Sequence, residues 1–155
     1  MKKPKNISEV IKNATKKVVI NACYGGFGLS PKAIIEYGKL IGKEIYFYYS
    51  DYENNKTIKI KDPQLNERHL YYALFTDLGD NPTDKKLNAK STKWLNEIEL
   101  KRDDSNLIKV IEKLKEKANG RCSKLKIIEI PSDVDFQIEE YDGYEHIAEK
   151  HRTWS

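Results

Sequence analysis

The sequence predicts a single α/β domain, with a mixed, mostly parallel sheet of about five or six strands flanked by helices. Three observations predict it. The β-branched runs KVVINA (17–22) and LKIIEI (125–130) read as buried strands. A capped amphipathic helix lies between the first run and the aromatic stretch EIYFYYS (44–50), and strand–helix–strand in that order suggests a right-handed parallel crossover. The 155-residue length suits one domain, which at that size buries roughly 68–70% of its unfolded surface.

Each element follows from local chemistry. Residues 1–15 read as a basic tail or a short helix over Ser8–Asn13, and 16–155 as the domain with a docked C-terminal segment. After KVVINA, three Gly in four positions make CYGGFGL (23–29) a loop, since glycine weakens helix and strand alike. Ser30-Pro31 is a hydroxyl cap with proline at the first helical position, opening a helix to about Ile41 with Gly42 as its stop. Thr57–Ile60 pairs back on the second strand as an edge. HLYYALFT (69–76) and Trp94–Leu100 are further strand candidates. Asp103, Asp104 or Ser105 caps a helix to about Asn119, with Leu107, Ile108, Ile111, Leu114 and Ala118 as its apolar stripe. Phe136–Glu140 is one more strand, and Gly143–His151 reads as a short C-terminal helix.

Charge and composition exclude several classes. No apolar run approaches the ~20 residues of a membrane span, and the Met-Lys-Lys-Pro-Lys-Asn start has no apolar stretch behind it, so the expected location is cytoplasmic. Two Cys give neither a disulfide framework nor a metal quartet, and no metal or cofactor is expected. The net charge is +4, but residues 1–17 hold six Lys and one Glu while 129–155 hold eight acids against Lys150 and Arg152. That acidic end repels phosphate backbones, so duplex DNA is not an expected partner.

Two regions carry candidate chemistry. In the first, backbone N–H groups of the loop Tyr24, Gly25, Gly26, Phe27, Gly28 and the Ser30 cap could hold a phosphate, although YGGFGLS lacks the spacing of dinucleotide or P-loop motifs. A tight turn carrying Tyr24 and Phe27 into the core is the alternative. Cys23 beside it could serve as a nucleophile if a His base came near, or stay a buried inert thiol. The second is the terminus EEYDGYEHIAEKHRTWS, in which Lys150, Arg152 and Trp154 could clamp a phosphate and stack a ring. Glu149 and His151 are its acid/base candidates. A capping helix with solvated charges is the alternative there. The ten Tyr, crowded at Tyr46, Tyr48, Tyr49, Tyr71 and Tyr72, read as sheet packing with a minor prospect of base stacking.

The segments KVVINACYGGFGLSPKAIIEYG and IIEIPSDVDFQIEEYDGYEHIAEKHRTWS together resemble a family of small proteins from bacteriophages, prophages and large viruses. The resemblance covers the N-terminal unit, the helix around 104–119 and the C-terminus, and is looser over 1–14 and 51–100. Cys23, Tyr24, Gly25, Gly26, Phe27, Gly28, Ser30, Tyr141, Asp142, Gly143, Glu145, Glu149, Lys150, His151, Arg152, Thr153 and Trp154 match its two motifs; His146 stands where the family has Trp. The resemblance implies a viral protein that acts in the host cytoplasm. By analogy with phage sponges it implies an anti-defence binder of a nucleotide-like ligand, such as a cyclic nucleotide or an ADP-ribose-type immune signal, and a homo-oligomer. A small hydrolase or transferase on such a ligand, and a protein–protein inhibitor of a host factor, are the competing expectations. All three depend on the glycine loop and the C-terminal segment meeting in space.

Overall fold

The computed structural model describes residues 14–63 and 71–150. The expected helix at Ser8–Asn13, and His151, Arg152, Thr153 and Trp154, lie outside the described residues. Helix and strand are mixed as expected, but the mostly parallel sheet is not found: all strand pairs are antiparallel, in three small sheets.

Strand β1 (Thr15–Asn21) pairs with β5 (Leu125–Pro131), from Thr15 opposite Pro131 to Asn21 opposite Leu125. Helix α1 (Pro31–Leu40) carries the chain back as expected. However, β2 (Tyr46–Asp51) enters a different sheet, between β3 (Lys56–Ile60) and β4 (Tyr72–Leu74). The reason is local. A four-residue turn ending in Asn55, at φ 51°, folds β3 straight back along one edge of β2, and β4 takes the other. With both its edges occupied, β2 has no ladder to offer β1.

The helices follow their caps. Ser30 Oγ accepts from the Ala33 amide at 3.2 Å, and α1 stops at Gly42, whose φ is 71°. A one-turn helix, α2 (Asp84–Leu87), starts at the Thr83 cap. Asp104 is the cap of α3 (Ser105–Leu114), accepting from the Asn106 and Leu107 amides. The Tyr37 hydroxyl of α1 donates to the same carboxylate at 3.0 Å, tying the two helices at their ends. Trp94–Leu100 is not a strand: Trp94 makes one bridge to Leu74, and Glu97–Glu99 form a 3-10 turn.

The larger of two buried clusters joins these parts. Val19 of β1, Leu29 ahead of α1, Ala33, Ile34 and Tyr37 of α1, Phe47 of β2, and Leu107, Ile108, Val110, Ile111 and Leu114 of α3 belong to it, while Tyr48, Leu74 and Leu87 form the smaller one. The α3 stripe is therefore as expected. No helix of the described residues is long and apolar enough to cross a membrane.

The largest local departure is at the C-terminus. Instead of a helix over Gly143–His151, β6 (Phe136–Tyr141) and β7 (Tyr144–Glu149) form a hairpin across Asp142-Gly143. Both turn residues have positive φ, 50° and 84°, as a two-residue hairpin turn of type I′ demands. The alternation of β7 then buries Glu145 while Tyr144 and His146 face out.

Gly143 is constrained twice over. A Cβ there would lie 2.6 Å from the Gly26 amide nitrogen and 2.7 Å from the Gly25 carbonyl carbon, on top of the positive φ. Gly42 shares the positive φ but faces open space. Gly42→Ala should therefore cost about 1 kcal/mol, the left-handed penalty alone, and Gly143→Ala about 3 kcal/mol, measured by urea denaturation. Equal costs at the two positions would mean that the hairpin turn does not press on the glycine loop.

Candidate functional site

The glycine loop and the C-terminal hairpin meet through backbone and through a buried polar network. The Gly25 amide donates to the Asp142 carbonyl at 3.3 Å. Behind that contact, Glu145 is buried and paired bidentately with Arg102, at 2.6 and 3.0 Å. The Asn21 amide donates to Glu145 Oε1 at 2.7 Å, and the Asn21 side chain donates to the carbonyls of Cys23 and Gly143 at 2.9 and 2.8 Å. Asn21 Oδ1 accepts from the Lys124 amide at 2.8 Å. The guanidinium of Arg102 also lies 3.5 Å from the centroid of the Phe27 ring. One arginine thus binds a hairpin carboxylate and a loop ring at once.

This network also closes an edge of β1. Amides alternate in direction along an antiparallel strand. Ala22 donates to the Lys124 carbonyl on the β5 side, whereas Val19 donates to the Arg102 carbonyl at 2.9 Å and Asn21 to Glu145. Arg102 therefore satisfies one edge amide with its backbone and holds, through its side chain, the carboxylate that satisfies the next. Without such partners the edge would present unpaired donors.

The loop amides are divided between protein partners and open positions. The Leu29 amide donates to Glu97 Oε2 at 2.9 Å and the Ser30 amide to the Ala118 carbonyl at 2.9 Å. The Gly28 carbonyl accepts from the Gly120 amide and the Ser123 hydroxyl. Among the described residues the amides of Gly26, Phe27 and Gly28 have no acceptor. A protein carboxylate, Glu97, therefore holds the helix-proximal end of the loop, and the open donors are confined to its centre.

The exposed surface here is aromatic. Tyr24 is 69% exposed, with its ring centroid 5.4 Å from that of Tyr144, and Tyr141, opposite Tyr144 in the hairpin, is exposed too. Of the alternative in which the loop turns both rings into the core, Phe27 packs against the core and Tyr24 does not. Arg121 and Cys122 belong to the adjoining turn, and a Cβ on Gly25 would meet the Cys122 carbonyl.

The other candidates fall in different places. The Cys23 thiol lies 3.3 Å from both Asn21 Oδ1 and the Cys122 carbonyl, either of which can accept its one proton, so its partners among the described residues are amide and carbonyl rather than imidazole. His146, the described histidine, sits 3.0 Å from Glu139 on the exposed face of the hairpin. Lys150 follows β7, which at about 3.3 Å per residue carries it roughly 20 Å from the Gly143 turn. There its Nζ is 3.6 Å from Asp135. Glu149 lies at the same far end, opposite Phe136. Lys150 and Glu149 thus do not reach the glycine loop. Among the described residues no group of three or more His, Cys, Asp or Glu is placed to hold a metal.

Sequence reasoning passed over Asn21, Arg102 and Glu97, and gave Glu145 no role. The Asp-Gly dipeptide between alternating segments was the available signal for the hairpin, and hence for the burial of Glu145. Nothing local marks Arg102 or Glu97. The chain matches no family model, no curated protein and no solved structure.

Two predictions follow from the charges. Arg102→Met leaves the Glu145 carboxylate buried without its partner and should cost about 3–5 kcal/mol. The double variant Arg102→Met/Glu145→Leu should be markedly more stable than that single variant in thermal unfolding. Burial pushes the Glu97 carboxyl above its ordinary value of 4.5, against the opposing Leu29 amide. A raised folded value means that the folded state binds the proton more tightly. Stability is therefore lost as pH rises from below 4.5 through the raised value. Glu97→Gln should unfold at a higher temperature than the parent at pH 7, with the difference closing towards pH 3; no difference at pH 7 would refute the burial cost.

Proposed function

We propose that this protein binds a small anionic, nucleotide-like ligand on the face where the glycine loop meets the β6–β7 hairpin, and that its role is to sequester that ligand. One observation carries the reading. The amides of Gly26, Phe27 and Gly28 have no acceptor among the described residues, and the same loop carries the exposed Tyr24 ring against Tyr144 and is tied to the Arg102–Glu145 pair through Phe27. Amides at such a bend suit a phosphate, and flat exposed rings suit a base. Rigid backing lowers the ordering cost of binding.

The resemblance of the two motifs to small phage and prophage proteins supports a ligand drawn from host immune signalling, a cyclic nucleotide or an ADP-ribose derivative. It also supports a viral protein that works in the host cytoplasm as a homo-oligomer. Within this reading Lys150 serves the far end of the hairpin through Asp135 and takes no part at the loop.

Thermal-shift titration with cyclic nucleotides and ADP-ribose derivatives tests the reading. A ligand at about 100 times its Kd adds about 2.7 kcal/mol, or roughly 5–10 °C for a chain of this size. Tyr24→Ala should abolish that shift while leaving the unliganded melting temperature within about 2 °C. The ligand should return with unchanged mass after the protein is denatured; a changed mass makes the protein an enzyme, and no shift with any of these ligands refutes the reading.

A further inference from the structure

A cavity of about 350 Å³ is lined by Ile34 of α1 and by Tyr71, Tyr72, Trp94, Asn96 and Glu97 among others. That volume is at the small end of ligand pockets, which span roughly 300–1,000 Å³, and suits one ring system. Its walls are rings held in place by their polar tips or edges. The Tyr71 hydroxyl donates to the Leu29 carbonyl at 3.1 Å, and the Tyr72 hydroxyl bonds Ser50 Oγ at 2.9 Å. Trp94 meets Tyr72 edge to face, with centroids 5.2 Å apart, yet is 42% exposed. A large ring left half open beside a cavity offers a stacking face.

The polar lining is more specific than the rings. Asn96 Oδ1 accepts from the Ile98 amide at 3.2 Å, which fixes the side-chain orientation and leaves its NH₂ as a donor with no acceptor among the described residues. Glu97 next to it uses Oε2 for the Leu29 amide, and its Oε1 has no donor among the described residues. The cavity therefore presents a donor beside a carboxylate acceptor. Guanine offers the complement along one edge: the O6 acceptor, then the N1–H and N2–H donors. Adenine offers the reverse, an N6 donor followed by an acceptor nitrogen.

We propose that this cavity is a nucleobase site selective for guanine, with the open face of Trp94 stacking the ring, Asn96 donating to O6, and Glu97 Oε1 accepting from the N1–H and N2–H edge. The cavity adjoins the glycine loop through Leu29, whose amide and carbonyl are held by Glu97 and Tyr71, but a nucleoside carries no phosphate and so needs none of the loop amides.

Isothermal titration of the full chain with guanosine, inosine and adenosine, none of which carries a phosphate, tests the proposal. Guanosine should bind most tightly, inosine, which lacks the N2 amine, more weakly, and adenosine at least ten-fold more weakly than guanosine. Glu97→Gln, which keeps an acceptor for Leu29, should weaken guanosine about ten-fold or more while the protein remains folded by circular dichroism. Trp94→Ser should do the same, with Trp94→Phe retaining most of the binding if the serine variant does not fold. Tyr24→Ala should leave guanosine binding unchanged. Adenosine binding as well as guanosine, no heat at millimolar guanosine, or loss of binding in Tyr24→Ala with retention in Glu97→Gln would each overturn the proposal.

Discussion

The ion pair between Arg102 and Glu145 is the interaction on which the rest of the architecture depends. A buried pair of this kind gives little net stability by itself, because desolvation offsets most of the attraction. Its importance here is positional. The carboxylate accepts from the Asn21 amide, the arginine carbonyl accepts from the Val19 amide, and the guanidinium lies against Phe27. Strand edge, hairpin and glycine loop therefore share one pair of side chains from distant parts of the chain. A slip of one residue in β7 would turn Glu145 to solvent and leave all three without that partner.

The glycines make sense in the same frame. Gly25 and Gly143 are required where two backbones approach too closely for any Cβ, and a Cβ on Gly120 would strike the Gly28 carbonyl in the same way. The loop is thus defined by what packs on it from outside, namely the Asp142-Gly143 turn and the 120–123 turn. A phosphate-binding motif of the familiar kinds points its amides outward in a run. Here the Leu29 and Ser30 amides are bonded within the protein, and among the described residues it is those of Gly26, Phe27 and Gly28, in the middle, that lack an acceptor.

What could be read from the sequence was local. Ser30-Pro31 and Gly42 bounded α1, Asp104 was among the caps expected for α3, and the apolar stripe of α3 is buried. These depend on neighbours three or four residues away. Strand direction was not legible, because it depends on which distant edge a strand meets: β1 found β5, over a hundred residues later, and β2 was enclosed by its own hairpin and β4. The C-terminal misreading was avoidable. A helix over Gly143–His151 is what the local charges suggest, whereas Asp142-Gly143 between two alternating segments specifies a turn with two positive φ values. The expectation joined the loop to the terminal segment of Lys150, Arg152 and Trp154; what meets the loop is the Asp142-Gly143 turn, while Lys150 lies at the far end of the hairpin. Asn21 is one residue short of the end of the apolar run KVVINA, and nothing beside Arg102 in the sequence marks it for burial.

Residue-by-residue amide hydrogen exchange tests the central claim most directly, because the Asn21 amide points away from β5 and only the Glu145 carboxylate protects it. The account predicts that Asn21 exchanges as slowly as Val18 and Ile20 in the parent protein, and that Glu145→Ala releases Asn21 and Val19 together while the β1–β5 ladder stays protected. Rapid exchange at Asn21 in the parent, beside a fully protected Ile20, would contradict it: the hairpin would then not be seated on the strand.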